Sequence, residues 1–311
     1  MSPRVISAAG AAAAVARLSY SALRARPPGG AAKWERTNHR GEPITLLEGP
    51  AVALGGVAGA LMSGGSGRER LAVAVAGAGA AAFGTYDDLA GNGGSRGFRG
   101  HLGALRNGEL TTGAVKLAGI GVTGLAAAVT AGRSAGADAG SRSSAGAMAD
   151  VVINASLIAG SANLLNLFDL RPGRAIKVAL LAGGLLGASG GASVAAPLTA
   201  AAALLPEDLG ERSMLGDGGA NALGAMLGTA AATSLSRPAR IAALGVVVGL
   251  TAASEVVSFS RVIDRTPLLR RADMLGRRPA AESPADAATG ASVAPDHEAN
   301  AAGAPRPAEA R

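Results

Sequence analysis

Residues 113–132, GAVKLAGIGVTGLAAAVTAG, carry a single charge, Lys116, and no polar face. A bilayer's hydrocarbon core asks for a helix of about 20 mostly apolar residues. A helix of a soluble alanine-rich bundle would instead show an apolar stripe opposite a charged face. The stretch therefore reads as a transmembrane helix. Similar charge-poor runs lie near 4–23, 50–67, 71–86, 147–168, 176–190, 191–205, 219–236 and 238–259. The expected fold is all-α, a polytopic integral membrane bundle of about nine (8–10) transmembrane helices. Residues 176–205 leave open two spans or one broken hairpin. Residues 1–278 form the expected membrane domain. The Pro/Ala-rich stretch 279–311 lacks any period and reads as a disordered cytoplasmic tail.

Composition points the same way. The 311 residues include 47 Gly, no Cys, one Trp, two Tyr and four Phe. Alanine and glycine together make up roughly two-fifths of the chain. Without cysteine there are no disulfides, no Cys-ligated metal and no thiol nucleophile. Alanine is nearly neutral for membrane insertion, so the gain must come from packing. Small residues four apart, Gly55 with Gly59 and Gly224 with Gly228, predict close helix–helix approach. The first run is interrupted by Arg17 and followed by a basic segment, so it reads as a retained signal anchor rather than a cleaved signal peptide.

Basic residues set the expected orientation. With the N-terminus outside and nine alternating spans, twenty of the 29 Lys and Arg fall in inside loops and seven outside. The net charge of +7 then sits mostly on the cytoplasmic face, facing anionic headgroups and phosphorylated substrates. Nucleic acid is the weaker partner, because the charge is split among loops and stacking aromatics are scarce. The expected location is the plasma membrane, with a homodimer among the assemblies admitted.

At the cytoplasmic ends of these spans stand Asp87 and Asp88 (AAFGTYDDLAG), Asp169 (NLLNLFDLRPGR) and Asp217 (MLGDGGANALG). Each alone is read as a helix cap or the partner of a loop arginine. Four at one membrane face point to function, because acids beside a bilayer are costly unless they pair or bind a cation. Mg²⁺ suits them, as a hard ion taking one or two carboxylates plus phosphate oxygens.

The order DD, then NxxNxxD, then GDxG resembles the polyprenyl-phosphate N-acetylhexosamine-1-phosphate transferases (glycosyltransferase family 4), over about residues 30–275. That family includes phospho-MurNAc-pentapeptide transferase and the GlcNAc-1-phosphate transferases of envelope glycan synthesis. The resemblance implies a Mg²⁺-dependent membrane enzyme moving a sugar-1-phosphate from a UDP-sugar to polyprenyl phosphate, with release of UMP. By the resemblance, Asp87 and Asp88 are the catalytic pair, and Asp217 with Asp88 holds Mg²⁺. Asn163, Asn166 and Asp169 contribute to the nucleotide-sugar site. Gly218 and Gly219, at a helix start, offer N–H groups to phosphate. Lys33, Arg36 and Arg40, in a loop resembling the family's first cytoplasmic loop, are either phosphate contacts or the ordinary basic bias of an inside loop.

The sequence also departs from the family pattern. Leu170 and Pro172 stand where the family's NxxNxxDGxDG has a glycine and an aspartate, and Ala220 replaces the serine of MGDxGS. The expected histidine motif is missing from SFSRVIDRTPLLRRADMLGRR, where Arg261, Arg265, Arg270 and Arg271 offer pyrophosphate donors but no proton shuttle. The alternative expectation is a catalytically degenerate homologue that binds nucleotide-sugar or polyprenyl phosphate as an envelope-assembly partner. A transporter ranks below both, since its acids belong near the midplane.

Overall fold

The computed structural model describes residues 2–91, 111–132, 144–187 and 192–279. The described residues are 79% helical and all-α. The helices among the described residues are α1 (Pro3–Ala25), α2 (Glu48–Met62), α3 (Gly67–Ala90), α4 (Thr112–Ala131), α5 (Ser144–Phe168), α6 (Arg174–Gly187), α7 (Ala195–Leu209), α8 (Gly216–Ser234), α9 (Arg237–Ser254), α10 (Phe259–Arg265) and α11 (Pro267–Met274). A short antiparallel hairpin, β1 (Glu35–Thr37) with β2 (Pro43–Thr45), pairs Arg36 with Ile44. The chain divides after Arg278 into two units. Of the second unit only Pro279 is described, so the expected disordered tail lies outside the described residues.

Helix starts follow local chemistry. Ser66 accepts the Glu69 N–H and Thr111 the Ala114 N–H, each satisfying an orphan donor of the first turn. Proline opens α1 and sits in the first turn of α9, where its missing N–H costs nothing.

α8 lies at the centre, packed most extensively on α3 and α5, and it is buried almost throughout from Gly216 to Ala232. Its glycines permit this. A Cβ added at Gly228 comes within 2.9 Å of the Ile158 Cα, and one at Gly224 collides with the Ser161 carbonyl oxygen. Gly55 does the same for α1 on α2, where a Cβ would lie 2.6 Å from the Ala12 carbonyl oxygen. The predicted small-residue contacts are thus real interfaces.

The interior is largely alanine, while large apolar side chains point outward: Leu18 (70% exposed), Val122 (66%) and Leu185 (72%) among them. Three described helices, α1, α4 and α5, are long and apolar enough to cross a membrane. Nine spans are not confirmed. α2, α6 and α7 have 14 or 15 residues, about 21–23 Å at 1.5 Å per residue, short of a ~30 Å core. α3 has charges at both ends and is diluted by Ala and Gly. The 176–205 region forms two separate helices, α6 and α7.

Candidate functional site

The last turn of α3 carries Asp87 and Asp88, and the first turn of α8 carries Asp217. These turns meet because Gly84 lets α3 approach the backbone of Asp217 and Gly218. Asp88 Oδ1 then accepts the Asp217 N–H (3.0 Å) and Oδ2 the Gly218 N–H (2.9 Å). A carboxylate on the N-terminal N–H groups of a helix satisfies orphan donors and opposes the positive dipole end. Gly216 makes the entry turn with φ of 62°, and a Cβ there would press on Asp88 Oδ2 at 3.0 Å.

Between the two remaining carboxylates sits Lys116, from the first turns of α4. Its Nζ lies 2.7 Å from Asp87 Oδ2 and 2.6 Å from Asp217 Oδ2, and its side chain is 13% exposed. The lone charge of the stretch 113–132 is thus the counter-ion of two of the singled-out acids. A charge isolated in an apolar run signals that it has a partner, but the run does not say which one.

The hairpin brings a second cation to the same place. Arg36 Nη2 donates to the Asp88 carbonyl oxygen, and Nη1 donates to the carbonyls of Lys33 (3.1 Å) and Glu35 (2.8 Å). Arg40 turns elsewhere: its Nε bonds Glu211 Oε1 at 3.0 Å. Lys33 is exposed in the loop ahead of β1.

Asn163 and Asn166 occupy the last two turns of α5, half-buried, and the Asn166 carbonyl accepts the Asp169 N–H at 3.1 Å. Asp169 is buried in the turn after α5, and its Oδ2 has no hydrogen-bond partner. Burial, together with the charges of Asp208, Asp217 and Asp88, pushes its carboxyl well above the usual range. Asp169 and Asp208, whose Oδ2 is likewise unpartnered, line a cavity of about 250 Å³ with Asn38, His39 and Arg171. Glu48, fully buried at the start of α2, accepts a hydrogen bond from Ser213 Oγ at 2.5 Å. Lys116, noted in the sequence only as the lone charge of its run, and Asp208 and Glu48 are not among the site residues expected from the motifs. Glu48 carries a signal of the same kind as Lys116, a lone charge at the start of an apolar run.

Two expectations need correction. The Gly218 N–H goes to Asp88 and the Gly219 N–H to the Leu215 carbonyl at 3.2 Å, so neither points freely toward a phosphate. Both Asp88 oxygens hold the start of α8, a positioning task rather than the expected catalytic and Mg²⁺-binding one.

For Mg²⁺ the donor chemistry fits in part. Among the described residues no group of three or more His, Cys, Asp or Glu is arranged to hold a metal ion. Asp87 and Asp217 nevertheless converge on one point, and Mg²⁺ is commonly held by two carboxylates with substrate phosphates filling its shell. The Lys116 ammonium stands on that point.

On α8, between α5, α6 and α9, lies an open apolar cavity of about 520 Å³, lined by Leu165, Phe168, Val178, Leu227, Val247 and further aliphatic side chains. Phe168 is the residue before Asp169, so this cavity begins beside the acidic end. A scan against protein-family models and a search of curated proteins each found no match.

Proposed function

We propose that this chain is a membrane transferase of the polyprenyl-phosphate N-acetylhexosamine-1-phosphate type, serving envelope glycan or peptidoglycan precursor synthesis. The observation that carries the reading is the convergence of Asp87, Asp217 and Lys116, from three separate helices, with Asp88 and Arg36 at one end of an apolar-surfaced bundle. Buried charge of this kind needs a purpose beyond stability, since an apolar cluster of equal volume would serve a scaffold as well. The apolar cavity beside Phe168 supports a prenyl acceptor, and the cavity at Asp169 supports a nucleotide-sugar donor. In this reading the bundle crosses the plasma membrane about nine times, with short helices paired or tilted and the acidic end cytoplasmic.

In the reaction, a prenyl-phosphate oxygen attacks the β-phosphorus of the UDP-sugar in line. A new P–O bond forms, the bond from the β-phosphorus to the bridging oxygen breaks, and UMP departs carrying that oxygen. Such transfer depends mainly on positioning and charge neutralisation. Asp87 receives any proton remaining on the prenyl phosphate. Lys116 and Arg36 neutralise phosphate charge, and Asp88 keeps Asp217 in register by holding the first turn of α8. Mg²⁺, held by Asp217, would supply further neutralisation of the pyrophosphate.

The second reading is a homologue that binds these ligands without turnover. It is favoured by Lys116 sitting on the point where the acids converge and by the occupied Gly218 and Gly219 N–H groups. Purified protein in lipid, given a panel of UDP-sugars, Mg²⁺ and polyprenyl phosphate, separates the two. Release of UMP that Asp217→Asn abolishes supports the transferase. Saturable UDP-sugar binding with no UMP from any sugar supports the binding protein.

A further inference from the structure

α9 and α10 together are apolar enough to make one span, yet they meet at 91°. The chain leaves α9 at Ser254, and Ser258 caps a new helix by accepting the Arg261 N–H. In the proposed membrane reading α9 spans, and a helix at right angles to it runs along the membrane plane. α10 and α11 are held against the acidic end of the bundle through one side only. Phe259 stacks on Phe168 with ring centroids 4.8 Å apart and planes within 8°. Ser260 Oγ accepts from Arg174, and Arg174 grips both oxygens of Asp273 at 2.7 and 3.0 Å. Lys177 Nζ donates to the carbonyls of Ala272 and Asp273, capping the C-terminus of α11.

The opposite side has a different character. On a helix of 3.6 residues per turn, Leu268 and Arg271 emerge roughly half a turn from Asp273, and Leu275 follows just past the helix end. Leu268 is 75% and Leu275 72% exposed, and Val256, in the bend, is 84% exposed. Interleaved with them are Arg261, Arg265, Arg270 and Arg271, all exposed and with no ion-pair partner among the described residues. Exposed leucine and valine beside unpaired arginine, on a helix lying flat, is the pattern of an interfacial helix.

We propose that α10–α11 is a surface anchor that seats Val256, Leu268 and Leu275 in the headgroup boundary and binds anionic lipid headgroups through Arg261, Arg265, Arg270 and Arg271. The inference rests on the membrane reading of the bundle. Charge complementarity selects an anionic surface over a neutral one, each arginine near such a surface contributing about a fivefold preference. Because Arg174 and Lys177 tie α11 to the first turns of α6, the lipid surface bears directly on the edge of the acidic end.

The chain contains no cysteine, so one introduced residue can be labelled without background. Full-length Leu268→Cys bearing an environment-sensitive fluorophore is reconstituted in nanodiscs of phosphatidylcholine alone or with phosphatidylglycerol. Quenching by headgroup-proximal spin-labelled lipid and by aqueous iodide is then measured. The expected result is lipid quenching that rises, and iodide quenching that falls, when phosphatidylglycerol is present. Adding Arg270→Ala and Arg271→Ala, exposed positions that make none of the Asp273 contacts, should return both signals to the phosphatidylcholine level. Equal iodide access in both lipids, or no effect of the arginine substitutions, overturns the proposal. So does a comparable shift on adding inorganic pyrophosphate to neutral discs, which assigns the arginines to a soluble anion. A parallel Val122→Cys probe on α4 keeps the two levels apart: if it too is open to iodide, the membrane reading fails; if it is shielded while Leu268 is not, only the surface anchor fails.

Discussion

Replacing Lys116 by methionine keeps the apolar stem and removes the ammonium, leaving Asp87 and Asp217 facing each other without a counter-ion. At 2.6–2.7 Å each contact has a gross Coulomb energy of about 6 kcal/mol at an effective dielectric constant of 20. The net loss is smaller, because Asp217 keeps 27% of its side-chain exposure and water can reach it. Removing one partner of a well-buried pair costs about 3–5 kcal/mol, so about 3 kcal/mol suits this site. For a chain of this size that lowers Tm by roughly 6–12 °C. The single tryptophan, Trp34, is 5% exposed beside the hairpin that carries Arg36, and its emission reports unfolding at this end. Two comparisons make the experiment decisive. Asp217→Asn should destabilise the wild type but stabilise Lys116→Met, since it then removes a repulsion. Mg²⁺ should raise the Tm of Lys116→Met by more than that of the wild type, because its competitor for the two carboxylates is gone. An unchanged Tm for Lys116→Met, or Asp217→Asn destabilising both backgrounds alike, would refute the three-group arrangement.

Other expectations follow from the same geometry. Gly55→Val drives a Cβ to 2.6 Å from the Ala12 carbonyl and should cost about 1–3 kcal/mol by separating α1 from α2, whereas Gly249→Ala, with nothing within 4 Å, should leave thermal stability unchanged or slightly raised. Arg240 is buried and donates to Asn154 Oδ1 at 2.7 Å; Arg240→Leu should cost about 2–3 kcal/mol, read as loss of Tm in lipid. Burial raises the Asp273 carboxyl, but Arg174, Arg277 and Lys177 outweigh it and hold the group below its ordinary value of 3.8. A depressed folded value means that its contribution is complete above pH 3.8 and is lost as pH falls through the lower folded value. Hydrogen exchange over 267–274 should accelerate below that point, and Asp273→Asn should produce the same release at neutral pH.

The all-α class was legible in long charge-poor runs such as 113–132, and the glycine pairs announced close contact. Span number was harder. The charge-poor runs include helices of only 14 or 15 residues, and an alanine–glycine run does not reveal whether it spans, half-spans or packs inside. The end of the last run at 259 was also misplaced. The chain breaks at Ser254 and turns sharply, which a pattern of apolar residues cannot signal.

At the candidate site, Asp87, Asp88, Asp169 and Asp217 stood out as acids against an apolar background. Their division of labour did not. Adjacent aspartates look equivalent in sequence, yet one caps α8 and the other binds Lys116, because the direction of each Cα–Cβ bond at the end of α3 decides what it meets. Arg36 and Arg40 differ for a similar reason: the hairpin register places one over Asp88 and the other beside Glu211.

By itself the sequence determined an alanine- and glycine-rich helical scaffold with sparse charge, since hydrophobic period and residue size are local properties. Which charges meet was decided only by tertiary structure. Lys116 and Asp217 lie 101 residues apart, and no local rule links them. Their contact exists because glycines let α3 close on α8 at Gly84 and on α4 at Gly79 and Gly119, and burial then obliges each charge to find a partner within reach.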